Sequence, residues 1–571
     1  MITARLPFDF TVADMLKTKI VSSLTKVYTD SSIDALSSYK RISALKGERI
    51  SFQLVTQYVK ESGDGKFTER KLYTPVVNGA LSEYATLREV RNVGVELPTL
   101  PDLADDGYER LTPGLYPDIL TPLCHSGRVN ARALFPSSVW IDVDVPEDLA
   151  GSGEMALTVE LTDDAGEVAG CEQILIDVID AILPEQALTV TQWFHCDSLA
   201  HYYDVDVWSE KHWRIIENFV HVAAKNGINM LLTPVFTPPL DTKIGGERLT
   251  TQLVGVRVED GKYSFDFSLL DRWVNMCDRV GIKYFEISHL FTQWGAKHAP
   301  KVMATVDGEY RRIFGWETDA QAEEYVAFIR RFLTEFIEHM KKGGNDKRCY
   351  FHISDEPTKD QLESYRAAVE SISDLLDGYV VMDALSDYDL YEQGLVSTPI
   401  SNTNSIANFV DKGIPNLWAY YCCGECSGVS NRFIAMPSCR NRSIGMQMYK
   451  YDIAGFLQWG FNFFSNQQST DSVNPFMNTS GDSWVPAGDA ISVYPGFRGE
   501  ALESLRIVVF YHALEDMRAM KLCESLYSKA EVVAAIEDVM GKELRFNVCA
   551  DSESTMLAIR ERINEMIKDK I

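Results

Sequence analysis

The chain has 571 residues, too many for one hydrophobic core, so two or three domains are expected. Hydrophobic residues make up 46% and charged residues 24%, a globular composition, and no apolar run approaches the roughly 20 residues that would span a bilayer. A net charge of −27 argues against nucleic acid and anionic membrane as partners, because both call for a basic surface. The 11 cysteines are odd in number and follow no framework spacing, which points to reduced thiols. The first ten residues, MITARLPFDF, lack the basic start and apolar middle of a signal peptide. A cytoplasmic location is therefore expected, unless a signal has been removed.

Residues 1–183 read as β-rich. Residues 48–59, 138–145 and 155–161 alternate apolar and polar positions, and residues 163–166 (DDAG) form a turn into another strand over 171–179. Period-2 segments punctuated by Gly, Pro and Asp suggest an antiparallel β-sandwich ending near Leu183-Pro184. From residue 189 the pattern becomes strand, helix, strand, helix. Eight strands are expected over 189–194, 229–235, 283–288, 349–354, 379–385, 395–402, 417–423 and 455–462. Several are continuous apolar runs, as parallel strands buried on both faces require. Helices are expected over 208–227 and 319–342. The second carries an apolar stripe from Ala322 to Met340, with Thr318 and Gln321 as a capping box. Eight such units match a (β/α)8 barrel over 184–520. The remainder, 521–571, reads as a helical cap. Met556, Ile559, Ile563, Met566 and Ile567 form one stripe of its last helix.

The chemistry points to His352-Ile353-Ser354-Asp355-Glu356-Pro357. An apolar strand ends, two carboxylates follow, and Pro357 with Thr358 and Gln361 starts the next helix. In a barrel this places Asp355 and Glu356 at the C-terminal mouth, where barrel enzymes keep their reacting groups. The plainer reading is an acidic helix N-terminus favoured by the dipole. Two adjacent acids repel, so one should hold its proton nearer neutral pH. Neighbours in sequence cannot easily flank a sugar ring as separated nucleophile and acid. They suit substrate assistance, in which the 2-acetamido carbonyl attacks the anomeric carbon.

These residues resemble glycoside hydrolase family 123. The resemblance covers nearly the whole chain. It runs through residues 51–55, Trp193-Phe194-His195, residues 352–357, Trp418-Ala419-Tyr420-Tyr421-Cys422-Cys423-Gly424, Gln458-Trp459-Gly460-Phe461-Asn462, Gly488-Asp489 and Tyr494-Pro495-Gly496. It implies an exo-acting β-N-acetylgalactosaminidase that retains configuration by 2-acetamido participation. On that reading Asp355 steadies the oxazolinium, Glu356 is the acid/base, and no cofactor is required. Trp193, His195, Trp418, Tyr420, Trp459, Asn462, Trp484, Asp489 and Tyr494 are candidate substrate-binding residues. A glycosidase for another sugar and a non-catalytic glycan-binding protein are the competing readings. The partner implied is a small glycan or glycoconjugate; oligomeric state is not legible.

Two clusters invite a metal. His195, Asp197 and His201 have ligand-like spacing, but no second His-rich set follows, and packing or sugar contact is the preferred reading. Cys422, Cys423 and Cys426 continue a buried strand and read as strand-end packing, since adjacent cysteines are poor zinc geometry. Residues 465–499, a long segment after the eighth strand, should be functional on length alone.

Overall fold

A computed structural model of the protein describes residues 15–59, 69–123 and 127–571. Residues 1–14, 60–68 and 124–126, part of the expected N-terminal domain, lie outside the described residues.

Among the described residues the N-terminal region holds two five-stranded sheets. One runs Met15–Ser22, Arg49–Val59, Ser137–Asp144, Ala85–Val95, Gly114–Pro122 in spatial order. The other runs Arg41–Lys46, Val168–Ile182, Gly153–Thr162, Arg70–Asn78, Val129–Arg132. Pairing is antiparallel except between Val168–Ile182 and Arg41–Lys46. Alternate residues of both sheets, among them Phe52, Leu54, Ile141, Leu157, Val159, Ile174 and Ile176, meet in one apolar cluster. This is the burial that period-2 patterning provides.

The second region is a closed parallel barrel. Its strands are β1 (Thr189–Gln192), β2 (Met230–Thr233), β3 (Tyr284–Ile287), β4 (Cys349–Phe351), β5 (Val380–Ala384), β6 (Thr398–Asn402), β7 (Trp418–Tyr420) and β8 (Gly455–Gln458). β8 pairs with β1, Thr189 opposite Gly455, and closes the ring. Each lies inside the segment expected from the apolar runs. Helix α1 (Glu210–Lys225) is capped by Ser209, whose side chain accepts the His212 N–H. Helix α2 (Glu323–Lys342) starts later than expected. Thr318 and Gln321 belong to the turn before it, where the Thr318 hydroxyl accepts the Gly315 N–H and Asp319 accepts the Gln321 N–H. The Thr358–Gln361 capping box is present.

A four-stranded sheet was not anticipated. Two hairpins, Gly255–Glu259 with Lys262–Asp266 and Val302–Val306 with Glu309–Phe314, grow from the loops after β2 and β3 and pair with each other.

Helix α3 (Ser438–Lys450) is buried along nearly its whole length. It packs on helix α4 (Leu505–Leu526) at Gly445, where an added Cβ would lie 2.0 Å from the Ala513 carbonyl oxygen. Backbone cannot yield as a side chain can, so Gly445→Ala should cost about 3 kcal/mol of stability, read by urea denaturation. Helix α4 runs unbroken through residue 520. Helix α5 (Glu553–Lys568) buries the expected stripe and ties back to the N-terminal sheets. Glu561 accepts from Ser43, and Arg560 pairs with Glu48 and Asp516.

Candidate active site

The residues after β4 form no regular strand, yet they are tightly held. Leu290 and Phe291 N–H groups donate to the His352 and Ile353 carbonyls, and Trp294 N–H donates to the Asp355 carbonyl at 3.0 Å. From the other side Asp383, on β5, accepts from the N–H groups of Ile353 and Ser354 at 3.1 and 3.3 Å. Asp383 also accepts from the Tyr365 hydroxyl and from His352 Nδ1 at 3.0 Å. His352 Nε2 lies 2.7 Å from Glu286 Oε1 on β3, and the same oxygen accepts the Trp193 indole N–H at 2.7 Å. The Thr191 hydroxyl donates to the other Glu286 oxygen. A fully buried chain of polar groups thus links the segment carrying Asp355 to the end of β1.

At the barrel mouth Asp355 and Glu356 share one cavity of about 180 Å3 with Trp193, Asp241, Trp294, Tyr420, Cys422, Cys423, Trp459 and Trp484. Asp355 is half-buried and Glu356 more exposed. The Tyr420 hydroxyl donates to Glu356 Oε1 at 2.6 Å. Among the described residues no side chain or N–H bonds the Asp355 carboxyl. Three cavity residues have left-handed backbone, Asp241 (φ 45°), Trp294 (φ 59°) and Glu356 (φ 42°). Such strain costs on the order of 1 kcal/mol or more per residue and gathers where a site imposes it.

The catalytic-domain model of glycoside hydrolase family 123 matches residues 193–523, more than half of the chain. The chain belongs to glycoside hydrolase family 123. A solved structure of a family 123 glycoside hydrolase from Clostridium perfringens, described for glycolipid glycan hydrolysis, superposes with a TM-score of 0.71 at 17% identity. The match covers 97% of this chain and 98% of that one, and at this identity it speaks for the fold alone. β-Glucuronidases from Bacteroides uniformis (TM-score 0.29, 11% identity, 88% of this chain and 51% of that) and Parabacteroides merdae (0.31, 8%, 88% and 52%) are too remote to carry any argument. No relative among curated protein sequences matches.

In this family 123 chain, burial pushes the Asp355 carboxyl well above the ordinary range, and the Glu356 and Asp241 charges push it further. Burial and mutual repulsion therefore both favour a protonated carboxyl in the cavity. Burial keeps the Tyr420 phenol protonated, with Glu356 adding to the effect, so Tyr420 acts as a donor. Burial, the largest influence on His352, opposes its charge. The bonds to Asp383 and Glu286 outweigh it and hold the imidazolium at about 10.

Of the expected binding residues, Trp193, Tyr420, Trp459 and Trp484 line the cavity. The other five do not, and each is engaged elsewhere. His195 is buried, accepting from Arg248 at Nδ1 and facing the Trp459 carbonyl, and burial then Arg248 lower its pKa to about 3. Asn462 holds both the N–H and carbonyl of His195. Trp418 lies further down β7, its ring against Gly455 and 6.1 Å from that of Tyr350. Tyr494 donates to Asp118 at 2.5 Å, joining the barrel to the N-terminal sheets. Asp489, pushed up to about 7 mainly by burial, accepts the Trp459 indole N–H at 3.0 Å and so orients a cavity wall from behind.

Cys422 and Cys423, expected as packing alone, form part of the cavity wall. Asp197 is taken by a two-point ion pair with Arg248, which removes it from any metal set with His195. One other grouping, His289, His352 and Asp383, has ligand atoms within 4.8 Å of one another among the described residues. Both His352 nitrogens are spent on carboxylates, and a protonated imidazole has no lone pair for a metal. The grouping reads as a hydrogen-bond network. Sequence reasoning missed Asp241, Trp294, Glu286, Asp383 and Tyr365.

Proposed function

We propose that this chain is an exo-acting β-N-acetylgalactosaminidase that retains configuration through its substrate's 2-acetamido group. The observation carrying the proposal is the placement of two neighbouring carboxyls in one small, indole-walled cavity. A nucleophile and an acid on opposite sides of a sugar ring stand about 5 Å or more apart and come from separate segments. Asp355 and Glu356 share one segment, so the group that attacks the anomeric carbon from the face opposite the leaving oxygen is the substrate's own acetamide.

In the proposed sequence the acetamide N–H donates to Asp355, whose oxygens have no other donor among the described residues. That bond favours the ionised carboxylate, and the shared proton then resides on Glu356. As the amide oxygen attacks the anomeric carbon, Asp355 balances the positive charge spreading over the forming oxazolinium. Glu356 passes its proton to the leaving oxygen, then takes one from the water that opens the ring. Tyr420 donates to the Glu356 carboxylate while it is charged. The indoles exclude water and stack on the sugar face. The link between the Clostridium perfringens relative and glycolipid glycans favours a terminal sugar of a glycoconjugate.

The test compares aryl β-GalNAc, β-GlcNAc and β-galactoside. Aryl β-GalNAc should turn over with the highest kcat/KM, and a GalNAc-derived thiazoline, which mimics the bicyclic intermediate, should inhibit competitively. Equal turnover of the galactoside, with no thiazoline inhibition, would remove the acetamido mechanism.

A further inference from the structure

Asp241 lines the same cavity as Asp355 and Glu356, yet it comes from the loop after β2. Its backbone is clamped at both ends. Its N–H donates to Gln293 Oε1 at 2.7 Å, and its carbonyl accepts from the Ser469 hydroxyl at 2.8 Å. Gln293 belongs to the loop after β3 and Ser469 to the segment after β8, so three loops converge on one residue. They hold it at φ 45°, in a region an Asp side chain enters at a cost. Among the described residues the carboxylate has no hydrogen-bond or ion-pair partner. Arg248, whose charge acts on it, is already committed to Asp197, to the Leu240 carbonyl and to His195.

Asp241 is half-buried; a carboxylate partly withdrawn from bulk water without a donor is costly, and a site that accepts the cost completes it with the ligand's donors. No Lys, Arg or His is among the described residues lining the cavity, whose charged groups are three acids. The donors that fit are therefore uncharged hydroxyls. Two oxygens of one carboxylate can accept from two hydroxyls on adjacent ring carbons. We infer that Asp241 is the specificity-determining residue of the cavity: it accepts hydrogen bonds from neighbouring hydroxyls of an uncharged sugar ring and turns away sugars bearing a carboxylate or sulfate. Burial raises its pKa to about 6, with Arg248 opposing and the Glu356 charge adding to the rise.

This inference rests on the proposal that the cavity holds a sugar, but not on the acetamido mechanism. The experiment uses whichever aryl glycoside the full chain hydrolyses best, its 3-, 4- and 6-deoxy analogues, and its 6-sulfated analogue. Wild type and Asp241→Asn are compared; Asn also tolerates left-handed backbone, so the fold should hold. Asp241→Gly, free of backbone strain at that φ, is the second variant, and thermal melting checks both. Asp241→Asn should lower kcat/KM about 10- to 100-fold, to the same extent for good and poor leaving groups. At one or two ring positions, deoxygenation should penalise wild type by a similar factor and the variants hardly at all. The sulfated analogue should be rejected by wild type and gain relative ground in the variants. Unchanged deoxy penalties in both variants would overturn the role of Asp241 while leaving the catalytic proposal intact. A wild type that prefers a non-acetamido sugar would overturn that proposal while the deoxy comparison still reports on Asp241.

Discussion

Glu356→Gln should lower kcat on a phenyl glycoside by about 10³-fold, within the range for losing a positioned general acid, and on a dinitrophenyl glycoside far less. A dinitrophenolate leaves without protonation, so the first step survives. The second step, which needs a base, then limits the rate, and added azide should restore turnover and appear in the product. Asp355→Asn should behave differently. Its role is to balance charge on the forming ring, so the loss, about 10²- to 10³-fold, should be nearly independent of the leaving group. The pH profile separates the two further. In wild type the acids repel, burial raises Asp355, and the working proton is retained to higher pH than a lone carboxyl would allow. Activity falls on the alkaline side when that proton is lost. Asp355→Asn removes one of the charges, so the alkaline limb should move to lower pH. Leaving-group dependence that is the same in both variants would defeat the division of roles.

The barrel was legible because each strand carries its own evidence. A run such as Met230-Leu231-Leu232-Thr233 is apolar on both faces, and only a strand covered by helices on one side and core on the other buries it. The site was legible where it coincides with a strand end in sequence, at Asp355, Glu356, Trp193, Tyr420 and Trp459. It was not legible where it depends on how loops converge. Asp241 is one acid after Pro238-Pro239-Leu240, and nothing local says that Gln293 and Ser469 will clamp it. Trp294 is hidden for the same reason. His195, Asn462, Asp489 and Tyr494 show the converse error. Each is a polar group near a strand end, but the loops use it to hold one another, and sequence does not reveal which polar group faces inward. Two signals were present and could have been read. Asp260-Gly261 and Asp307-Gly308 are two-residue hairpin turns with both residues at positive φ, flanked by alternating strands, and they announce the four-stranded sheet. Glu286 and Asp383, set among apolar residues of barrel strands, required buried partners, and His352 in the motif was the natural one.

That buried network yields the second large expected effect. Asp383→Asn should lower kcat by about 100-fold with KM near wild type, and cost about 3–5 kcal/mol of stability, the usual result of removing one partner of a buried charged pair. Asp383 touches no cavity atom. It fixes the N–H groups of Ile353 and Ser354, and so the direction in which Asp355 leaves the strand. An amide can accept from only one of its two arms, so at least one of those bonds and the counter-charge to His352 are lost together. Tyr365→Phe removes one bond to the same carboxylate and leaves its charge, so it should cost stability with a much smaller change in kcat. A purely structural role would lower both variants' activity only in proportion to the unfolded fraction. The pH dependence carries a further signature. Folded His352 titrates near 10, above the 6.5 of an exposed imidazole, so its contribution to stability is complete below pH 6.5 and disappears as pH rises through 10. Wild-type melting temperature should fall across that window. With Asp383 neutralised the folded pKa drops, and the His352 contribution to that fall should end at lower pH. Indistinguishable slopes between pH 6.5 and 10 for wild type and Asp383→Asn would show that the imidazolium is not held by this carboxylate.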